Sequence, residues 1–227
     1  MPSHLLSPAP ATAAEQAAAA QARFWNRMAR RYAASAIADP AGYEKTVARV
    51  QALLAPGQQV LEIGCGTGST ALRLAPGLSR LLATDVSPAM IAIAREKPAA
   101  AALPQLQFEV GAAAAPAQGA GEFDAVLAFN LLHLVSDLDG TLRAVLPALK
   151  PGGLFISKTP CLAEMNPLLT RVAVPLLQAV GLAPAVLRFD EAQLRAALER
   201  HGLAVEAVER HGTKRRDPRV FLVARKR

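Results

Sequence analysis

Apolar residues recur along the chain in short runs and in stretches with helical spacing, and this pattern predicts the order of strands and helices. Helices are predicted over residues 15–36 and 41–55, where apolar side chains recur every three or four residues. Short apolar strands are then predicted at 58–64, 81–85, 106–111, 123–130 and 154–159, with helices between them at 69–75, 87–97 and 138–150. Strands that alternate with helices in this rhythm indicate an α/β fold, with a parallel sheet between two helical layers.

The last third of the chain departs from this rhythm. Residues 160–190 are apolar, contain four prolines and are too long for a simple connection. We expect one or two short helices there, folded over the mouth of the site. Residues 190–202 predict a helix with Asp190 as its N-cap, and residues 203–212 and 219–226 alternate as the two strands of a hairpin.

The beginning of the chain predicts neither a secretory signal nor a membrane span. Residues 1–22 are rich in alanine and lack a basic stretch followed by an apolar core, so we expect a disordered or fraying leader. No apolar run approaches the roughly 20 residues that cross a bilayer. A cytoplasmic location and no stable membrane span are expected.

Composition and charge narrow the class of protein. The chain has 227 residues, of which 52% are apolar and 4% aromatic, enough for one domain with an aliphatic core. Two cysteines and four scattered histidines predict neither a disulfide framework nor a metal site. The net charge of +7 includes a basic C-terminal cluster that could meet nucleic acid or an anionic membrane, or could be a solvated hairpin and tail.

The candidate chemistry centres on a glycine-rich turn after the first strand. Glycines 64, 66 and 68 allow positive φ and close approach of a ligand, and Asp85 ends the next strand, 19 residues past Gly66. A carboxylate in that position can accept hydrogen bonds from both hydroxyls of a ribose. The glycines alone also fit a dinucleotide. Glu62 favours a cationic ligand instead, because a carboxylate beside the turn would repel a pyrophosphate.

Three ordered motifs carry a resemblance to a known family. VLEIGCGTGSTALRLA, LLATDVSPAMIAIAREK and FDAVLAFNLLHLVSDLDGTLRAVLPALKPGGLFISKT resemble segments of class I S-adenosylmethionine-dependent methyltransferases, and the ubiquinone and menaquinone type is the most similar. The resemblance implies a methyltransferase domain over residues 23–227. It also implies a Rossmann-like three-layer sandwich, whose seven-stranded sheet is mostly parallel with an antiparallel last strand, and S-adenosyl-L-methionine as cofactor.

The resemblance also implies cofactor-binding roles. Gly64, Cys65 and Gly66 would line the methionine and ribose side, with Gly68 closing the turn. Glu62 would lie near the amino group of the cofactor, and Asp85 would bind the ribose hydroxyls. Val86 and Met90 would pack near the adenine. Asn130 and Leu131 would contact the cofactor from below, and Tyr32 would close over it. The family usually has an aspartate after the third strand that binds the adenine amino group. This chain has Ala112 there, so another acceptor is needed.

Candidates for the acceptor side are fewer. His133 could act as a general base or cap the next helix, and Lys158 could bind an anionic substrate group or be a solvated lysine. Trp25, with Phe24, could line the substrate entrance or pack the N-terminal helix. Cys65 is interpreted as a small residue of the turn and Cys161 as a packing residue.

These features together predict methyl transfer to a small, partly apolar acceptor such as a phenol, a quinone precursor or an acid. The alternatives are an RNA methyltransferase, motivated by the basic C-terminus, and a dinucleotide-binding protein. Against the first, residues 130–133 lack the Asn-Pro-Pro-aromatic run that holds a flipped base, and aromatics for stacking are few. The protein is expected to be a monomer or a homodimer.

Overall fold

The computed structural model describes residues 12–113, 120–213 and 217–227. Its helices are α1 (Ala13–Ala34), α2 (Pro40–Leu53), α3 (Ser69–Leu74), α4 (Pro88–Glu96), α5 (Pro98–Ala101), α6 (Leu138–Val145), α7 (Val174–Ala179) and α8 (Glu191–Arg200). Its strands are β1 (Gln59–Ile63), β2 (Arg80–Asp85), β3 (Leu106–Val110), β4 (Phe123–Phe129), β5 (Leu149–Pro160), β6 (Leu203–Arg210) and β7 (Arg219–Lys226).

The described strands form one seven-stranded sheet in the order β3-β2-β1-β4-β5-β7-β6. The pairs from β3 through β5 are parallel, whereas β7 pairs antiparallel with both β5 and β6. The predicted α/β fold with a Rossmann-like sheet and an antiparallel last strand is confirmed, and so is the C-terminal hairpin.

Neighbouring strand residues point to opposite sides of the sheet, so each face carries apolar side chains, and helices cover both faces. Val60 packs with the buried side chains of α2, α3 and α4, while its neighbour Leu61 packs with those of α6 and α8. The core is therefore divided into two apolar layers by the sheet. Glu62 and Lys158 stand at positions of β1 and β5 that face the α2 side.

Helix α1 begins at Ala13, two residues before the predicted helix, and overlaps the predicted leader over residues 1–22. Thr12 caps it, and the Thr12 and Glu15 side chains form a reciprocal capping box. Residues 15–22 belong to both the predicted helix and the predicted leader, and the structure has them in the helix. Residues 1–11 lie outside the described part of the chain.

The connection into β5 also differs from the prediction of one helix over residues 138–150. Helix α6 ends at Val145, a 3₁₀ turn covers Leu146–Ala148, and β5 begins at Leu149. The predicted turn at Pro151-Gly152-Gly153 lies inside β5, where the register with β4 shifts. A β-carbon on Gly153 would lie 2.7 Å from Leu149 Cδ1 and 3.0 Å from the Asp124 carbonyl, so glycine lets this strand continue beside β4.

The apolar segment 160–190 contains short helices, as predicted. A 3₁₀ turn covers Leu162–Glu164, a π-helical turn covers Leu169–Ala173, and α7 follows. The Leu187 amide donates to the His133 carbonyl at 2.7 Å, which ties the end of the segment to the loop after β4. No helix in the described residues combines the length and apolar character that a membrane crossing needs.

Much of the described basic C-terminus is already engaged within the protein. Arg219 pairs with Asp39 and Asp217, and Arg225 pairs with Glu206. Lys226 donates to two backbone carbonyls. These cations are therefore occupied by internal partners, which weakens the argument for a nucleic-acid surface. Lys214, Arg215 and Arg216, from the predicted basic cluster, lie outside the described residues.

Candidate functional site

The glycine turn connects β1 to α3 at the carboxyl edge of the sheet. Gly64, Gly66 and Gly68 have φ of 68°, 56° and 73°, the left-handed region that favours glycine. A β-carbon on Gly64 would lie 2.6 Å from Leu131 Cδ1, and one on Gly68 would lie 2.5 Å from Phe108 Cε1. The turn is therefore held close both to the loop after β4 and to β3.

Asp85 fastens this turn to the end of β2. Its Oδ2 accepts a hydrogen bond from the Gly66 amide and its Oδ1 accepts one from the Ser87 amide, both at 2.9 Å. Burial raises the pKa of Asp85, and these two amides oppose that effect. Each carboxylate oxygen keeps further acceptor capacity, and the role of Asp85 on ribose hydroxyls stays a prediction.

Glu62 is a buried carboxyl group without a partner for one of its oxygens. Its side chain is 2% exposed, and Oε2 has no hydrogen-bond partner among the described residues. Burial, and then the charge of Asp85, raise the pKa of Glu62 to about 8. A buried polar atom left unpaired costs free energy. A cationic donor placed at this oxygen would relieve that cost.

Helix α1 lies across the turn. The Tyr32 ring lies next to Gly66: a β-carbon added to Gly66 would lie 3.7 Å from Tyr32 Cε1. Its ring meets Trp25 edge-on at 6.0 Å, and Trp25 meets Phe24 edge-on at 5.2 Å. Tyr32 therefore lies beside the glycine turn, and its closing over a cofactor stays a prediction. Trp25 packs on α1 within this aromatic cluster, and its role at the substrate entrance stays a prediction.

Asn26 is a site residue that the sequence reasoning missed. Its Oδ1 accepts hydrogen bonds from Ser87 Oγ at 2.6 Å and from the Ala89 amide at 3.2 Å. Ser87 is the N-cap of α4, and its hydroxyl oxygen accepts a hydrogen bond from the Met90 amide. Asn26 therefore docks α1 on the start of α4, beside Asp85.

The described residues that the resemblance places near an adenine have apolar side chains. Val86 is half-buried, Met90 is 2% exposed, and Ala112 offers only a methyl group. The Gly111 amide donates to the Asp85 carbonyl at 2.9 Å, so Ala112 follows directly on the end of the β2–β3 ladder. How an adenine amino group would be held here stays a prediction, since residues 114–119, which follow, lie outside the described part of the chain.

Asn130 shapes the loop after β4. It is the described non-glycine residue with a positive φ, 52°, and its amide donates to the Lys158 carbonyl at 2.6 Å. This turn places Leu131 against Gly64. The structure therefore brings Asn130 and Leu131 beside the glycine turn.

His133 does not cap the next helix, since α6 begins at Leu138 and has Asp137 as its N-cap. Its Nδ1 is 3.1 Å from Thr159 Oγ1, at the end of β5. Burial lowers the pKa of His133 to about 4. The imidazole is therefore neutral at physiological pH, and the alternative of a helix-capping histidine is wrong.

Lys158 is buried, so the alternative of a solvated lysine is also wrong. It is 6% exposed, and its Nζ donates to Thr46 Oγ1 at 2.7 Å and to the Gly42 carbonyl at 3.4 Å. Burial, and then the charge of Arg219, lower the pKa of Lys158. Thr46 also contacts the buried His211 at 3.0 Å, a connection that the sequence pattern did not indicate.

A cavity of about 90 Å³ lies between α2 and the carboxyl edge of the sheet. Its polar lining comes from residues far apart in sequence: Asp39, Tyr43, Thr46, Thr70, Asn130, Lys158 and Arg219. Asp39 already accepts from the Gly42 and Thr213 amides, which hold its pKa at about 2, and it pairs with Arg219. Lys158 thus borders the cavity, and its hydrogen bonds within the described residues go to neutral oxygens.

The two cysteines have the passive roles that the sequence indicates. Burial and the charges of Glu62 and Asp85 raise the pKa of Cys65 well above its ordinary value. Burial, and then Glu164, raise the pKa of Cys161 to about 12. Neither thiol forms an appreciable thiolate at neutral pH, so neither is activated as a nucleophile.

Comparison with known proteins begins with a family model described as a methyltransferase domain, which matches residues 60–153. The matched region runs from β1 into β5 and contains the glycine turn, Asp85 and His133. A ubiquinone biosynthesis O-methyltransferase from Albidiferax ferrireducens is 35% identical over 98 residues, which cover 43% of this chain and 39% of that protein. The chain spans less than half the length of the curated relatives it matches.

Solved structures support the fold over a longer part of the chain. An S-adenosylmethionine-dependent methyltransferase from Mesorhizobium loti superposes with a TM-score of 0.66 at 23% identity and covers 82% of this chain and 98% of its own. Magnesium protoporphyrin IX methyltransferase from Synechocystis, solved with bound SAH, also has a TM-score of 0.66, at 21% identity, and covers 93% of this chain and 100% of its own.

Proposed function

We propose that the chain is a class I S-adenosylmethionine-dependent methyltransferase that binds its cofactor at the glycine turn and transfers the methyl group to a small, partly apolar acceptor. The match of residues 60–153 to a methyltransferase domain and the shared fold support this proposal. The observation that carries this proposal is the pair of acidic side chains around the turn. Glu62 Oε2 is buried and unpartnered, and Asp85 is held by two amides with acceptor capacity to spare.

The residues present fit the two polar ends of that cofactor. The ammonium of its methionine part supplies the cation that the buried Glu62 lacks, and the ribose hydroxyls supply donors for Asp85. Gly66 lies next to Tyr32 and has no side chain, so the backbone of the turn can approach the ligand closely. When bound, the cofactor supplies a methyl group on a positively charged sulfur, which is already activated for in-line transfer. The chain's contribution is therefore positioning.

We assign His133 to the acceptor. Its neutral imidazole lies at the carboxyl end of β4, fixed through Nδ1 to Thr159. A hydroxyl oxygen that gains a methyl group becomes strongly acidic, so a weak base suffices to take its proton as the new O–C bond forms and the S–C bond breaks. An acceptor with a phenolic hydroxyl fits this residue, and the similarity to ubiquinone biosynthesis O-methyltransferases supports the same class.

We assign Lys158 to an anionic group, a carboxylate, that enters the cavity beside α2. The lysine is buried and bonded to neutral oxygens, and the nearby Asp39 and Asp217 are held by Arg219. A buried ammonium without a carboxylate partner gains most from an incoming anion. The acceptor and the methionine end of the cofactor could each supply such a group, and binding measurements separate the two.

The first test is calorimetry of the purified chain with S-adenosylhomocysteine and with NAD. We expect micromolar binding of S-adenosylhomocysteine, no binding of NAD, and loss of binding in Asp85→Ala. Asp124→Ala is the matched control, since Asp124 also accepts a backbone amide next to β1 but at the opposite edge of the sheet. Binding of NAD in place of S-adenosylhomocysteine would overturn the proposal, as would equal loss in both variants.

A second test addresses the acceptor, using labelled donor against phenols, phenolic acids, amines and thiols. We expect His133→Ala to lower kcat by about a hundredfold, the low end for loss of an acid–base group, with unchanged affinity for S-adenosylhomocysteine. Lys158→Met should raise KM about tenfold or more for phenolic acids but not for neutral phenols. If Lys158→Met instead weakens S-adenosylhomocysteine binding, the carboxylate in the cavity is that of the cofactor.

A further inference from the structure

The segment between Asn166 and Leu187 exposes an apolar surface that the proposed site does not explain. Arg171 is the one charged residue between positions 165 and 187. Leu168, Val180 and Leu182 are 69%, 67% and 68% exposed. The full set of exposed large aliphatic residues here, which we term the apolar patch, is Leu168, Leu169, Val172, Leu176, Leu177, Val180 and Leu182. Soluble surfaces rarely gather this many without a partner.

A stripe of arginines adjoins the apolar patch. Arg23, Arg27, Arg30 and Arg31 are exposed on α1 at spacings of four, three and one, which place them along one side of the helix. No acidic residue occurs between Glu15 and Asp39. A β-carbon on Gly181 would lie 3.9 Å from Arg27 Nη2, so this stripe, which we term the arginine stripe, borders the patch.

We propose that the apolar patch and the arginine stripe together form a docking surface for an anionic lipid bilayer. Aliphatic side chains on short helices gain free energy when they enter the boundary between headgroups and acyl chains, and arginines beside them gain from anionic headgroups. At about 1.5 Å per residue, the helical stretch 169–179 reaches about 16 Å, so it lies in the interface instead of crossing a core of about 30 Å.

Charge favours a bilayer over a second copy of the chain as the occupant. A two-fold contact through the patch would bring each copy's arginine stripe into the same interface, where like charges repel. An anionic bilayer instead supplies the complementary charge for all four arginines at once. The docking surface is independent of the proposed reaction and needs neither donor nor acceptor.

If the proposed function holds, docking of this surface would also bring the acceptor site close to the bilayer. The segment that carries the patch is bonded to His133 through Leu187, and α1 carries both the arginine stripe and Tyr32 above the glycine turn. Docking would turn the expected mouth of the acceptor site toward the bilayer. An apolar acceptor dissolved in lipid would then reach the site without crossing water.

The test is flotation of the full chain with vesicles of phosphatidylcholine alone and of phosphatidylcholine with phosphatidylglycerol. One variant replaces Leu176, Val180 and Leu182 by serine, and a second replaces Arg23, Arg27 and Arg30 by glutamine. The charge-matched control replaces Arg73, Arg143 and Arg200 by glutamine, since each lies in the last turn of another helix, outside the patch and the stripe. Val110→Ser on β3 is the control for an exposed aliphatic residue elsewhere.

We expect binding to vesicles that contain phosphatidylglycerol, with partition about tenfold or more weaker in both patch and stripe variants and unchanged in both controls. Circular dichroism verifies that each variant is folded. Equal binding to neutral and anionic vesicles, equal loss in the charge-matched control, or no binding at all would overturn the proposal. So would a wild-type dimer, seen by sedimentation without lipid, that the serine variant abolishes. Binding of S-adenosylhomocysteine is measured in parallel, so a failure of the proposed function is recognised separately.

Discussion

At the scale of single residues, the site depends on carboxyl groups that the fold keeps buried. Glu62 is the clearest case, because an ordinary glutamate is ionised at neutral pH whereas burial raises the pKa of this one to about 8. Between pH 4.5 and 8 the unfolded chain has lost this proton and the folded protein still holds it. The free energy of unfolding therefore falls as pH rises through that window, by an amount on the order of a few kcal/mol.

The neutral isostere should remove this dependence. We expect Glu62→Gln to raise the thermal midpoint of the ligand-free protein at pH 8 while changing it little at pH 4.5, since the glutamine never has to be ionised. Affinity for S-adenosylhomocysteine at pH 8 should fall in the same variant, because the ammonium loses its carboxylate. Glu206→Gln, an exposed partner of Arg225, is the control and should show neither effect. A variant that is less stable than wild type at pH 8 would contradict the assignment.

At the scale of helices and strands, the local sequence predicted what local forces decide. The apolar run at 123–130 became β4, because a strand covered on both faces needs apolar side chains at every position. Asp190 is an N-cap as predicted, since a cap acts within its own turn. The start of β5 and the short helix α5 were missed, because glycines and prolines that usually end an element are accommodated there by neighbouring strands and helices.

The site itself was predictable only where one motif carries it. The glycine turn, Glu62 and Asp85 lie within 24 residues, and the structure brings them together at the carboxyl edge of the sheet, while their roles toward a cofactor stay predictions. The contacts of Asn26 with Ser87 and of Lys158 with Thr46 join residues 61 and 112 positions apart, so no periodicity reveals them. Asn26 could have been noticed only as a polar residue between the aromatic and arginine positions of α1.

The docking of α1 by Asn26 can be tested as a property of that helix. We expect Asn26→Ala to speed amide exchange across residues 13–34 and to weaken S-adenosylhomocysteine binding several-fold, because two hydrogen bonds of about 1 kcal/mol each are lost. Asn26→Asp should retain both properties, since its carboxylate accepts the same two bonds at a helix N-terminus. If exchange instead increases throughout the sheet, Asn26 supports the whole fold and not the lid.

At the scale of the whole molecule, the strand order explains why the site lies where it does. The chain builds β1, β2 and β3 outward in one direction and then returns to place β4 on the other side of β1. The connections that leave β1 and β4 therefore diverge, and a crevice opens at the carboxyl edge between them. The glycine turn forms one wall of this crevice and residues 130–133 form the other. Helix α1 spans the top and contributes little to the core, since Ala29 is the one buried side chain described in it.

This division between a packed sheet and a lightly attached helix predicts two transitions on heating the ligand-free protein. Trp25, the single tryptophan, lies on α1 against Tyr32, so its fluorescence reports the detachment of α1, whereas far-ultraviolet circular dichroism reports the whole fold. We expect the fluorescence midpoint to lie below the dichroism midpoint. S-adenosylhomocysteine at about 100 times its Kd should stabilise the bound form by about 2.7 kcal/mol and bring the two midpoints together, because the ligand would bridge Tyr32 and the turn. Asp85→Ala should abolish that convergence. Coincident midpoints without ligand would mean that α1 and the sheet unfold as one unit, and the lid would then have to open by a smaller movement than detachment of the helix.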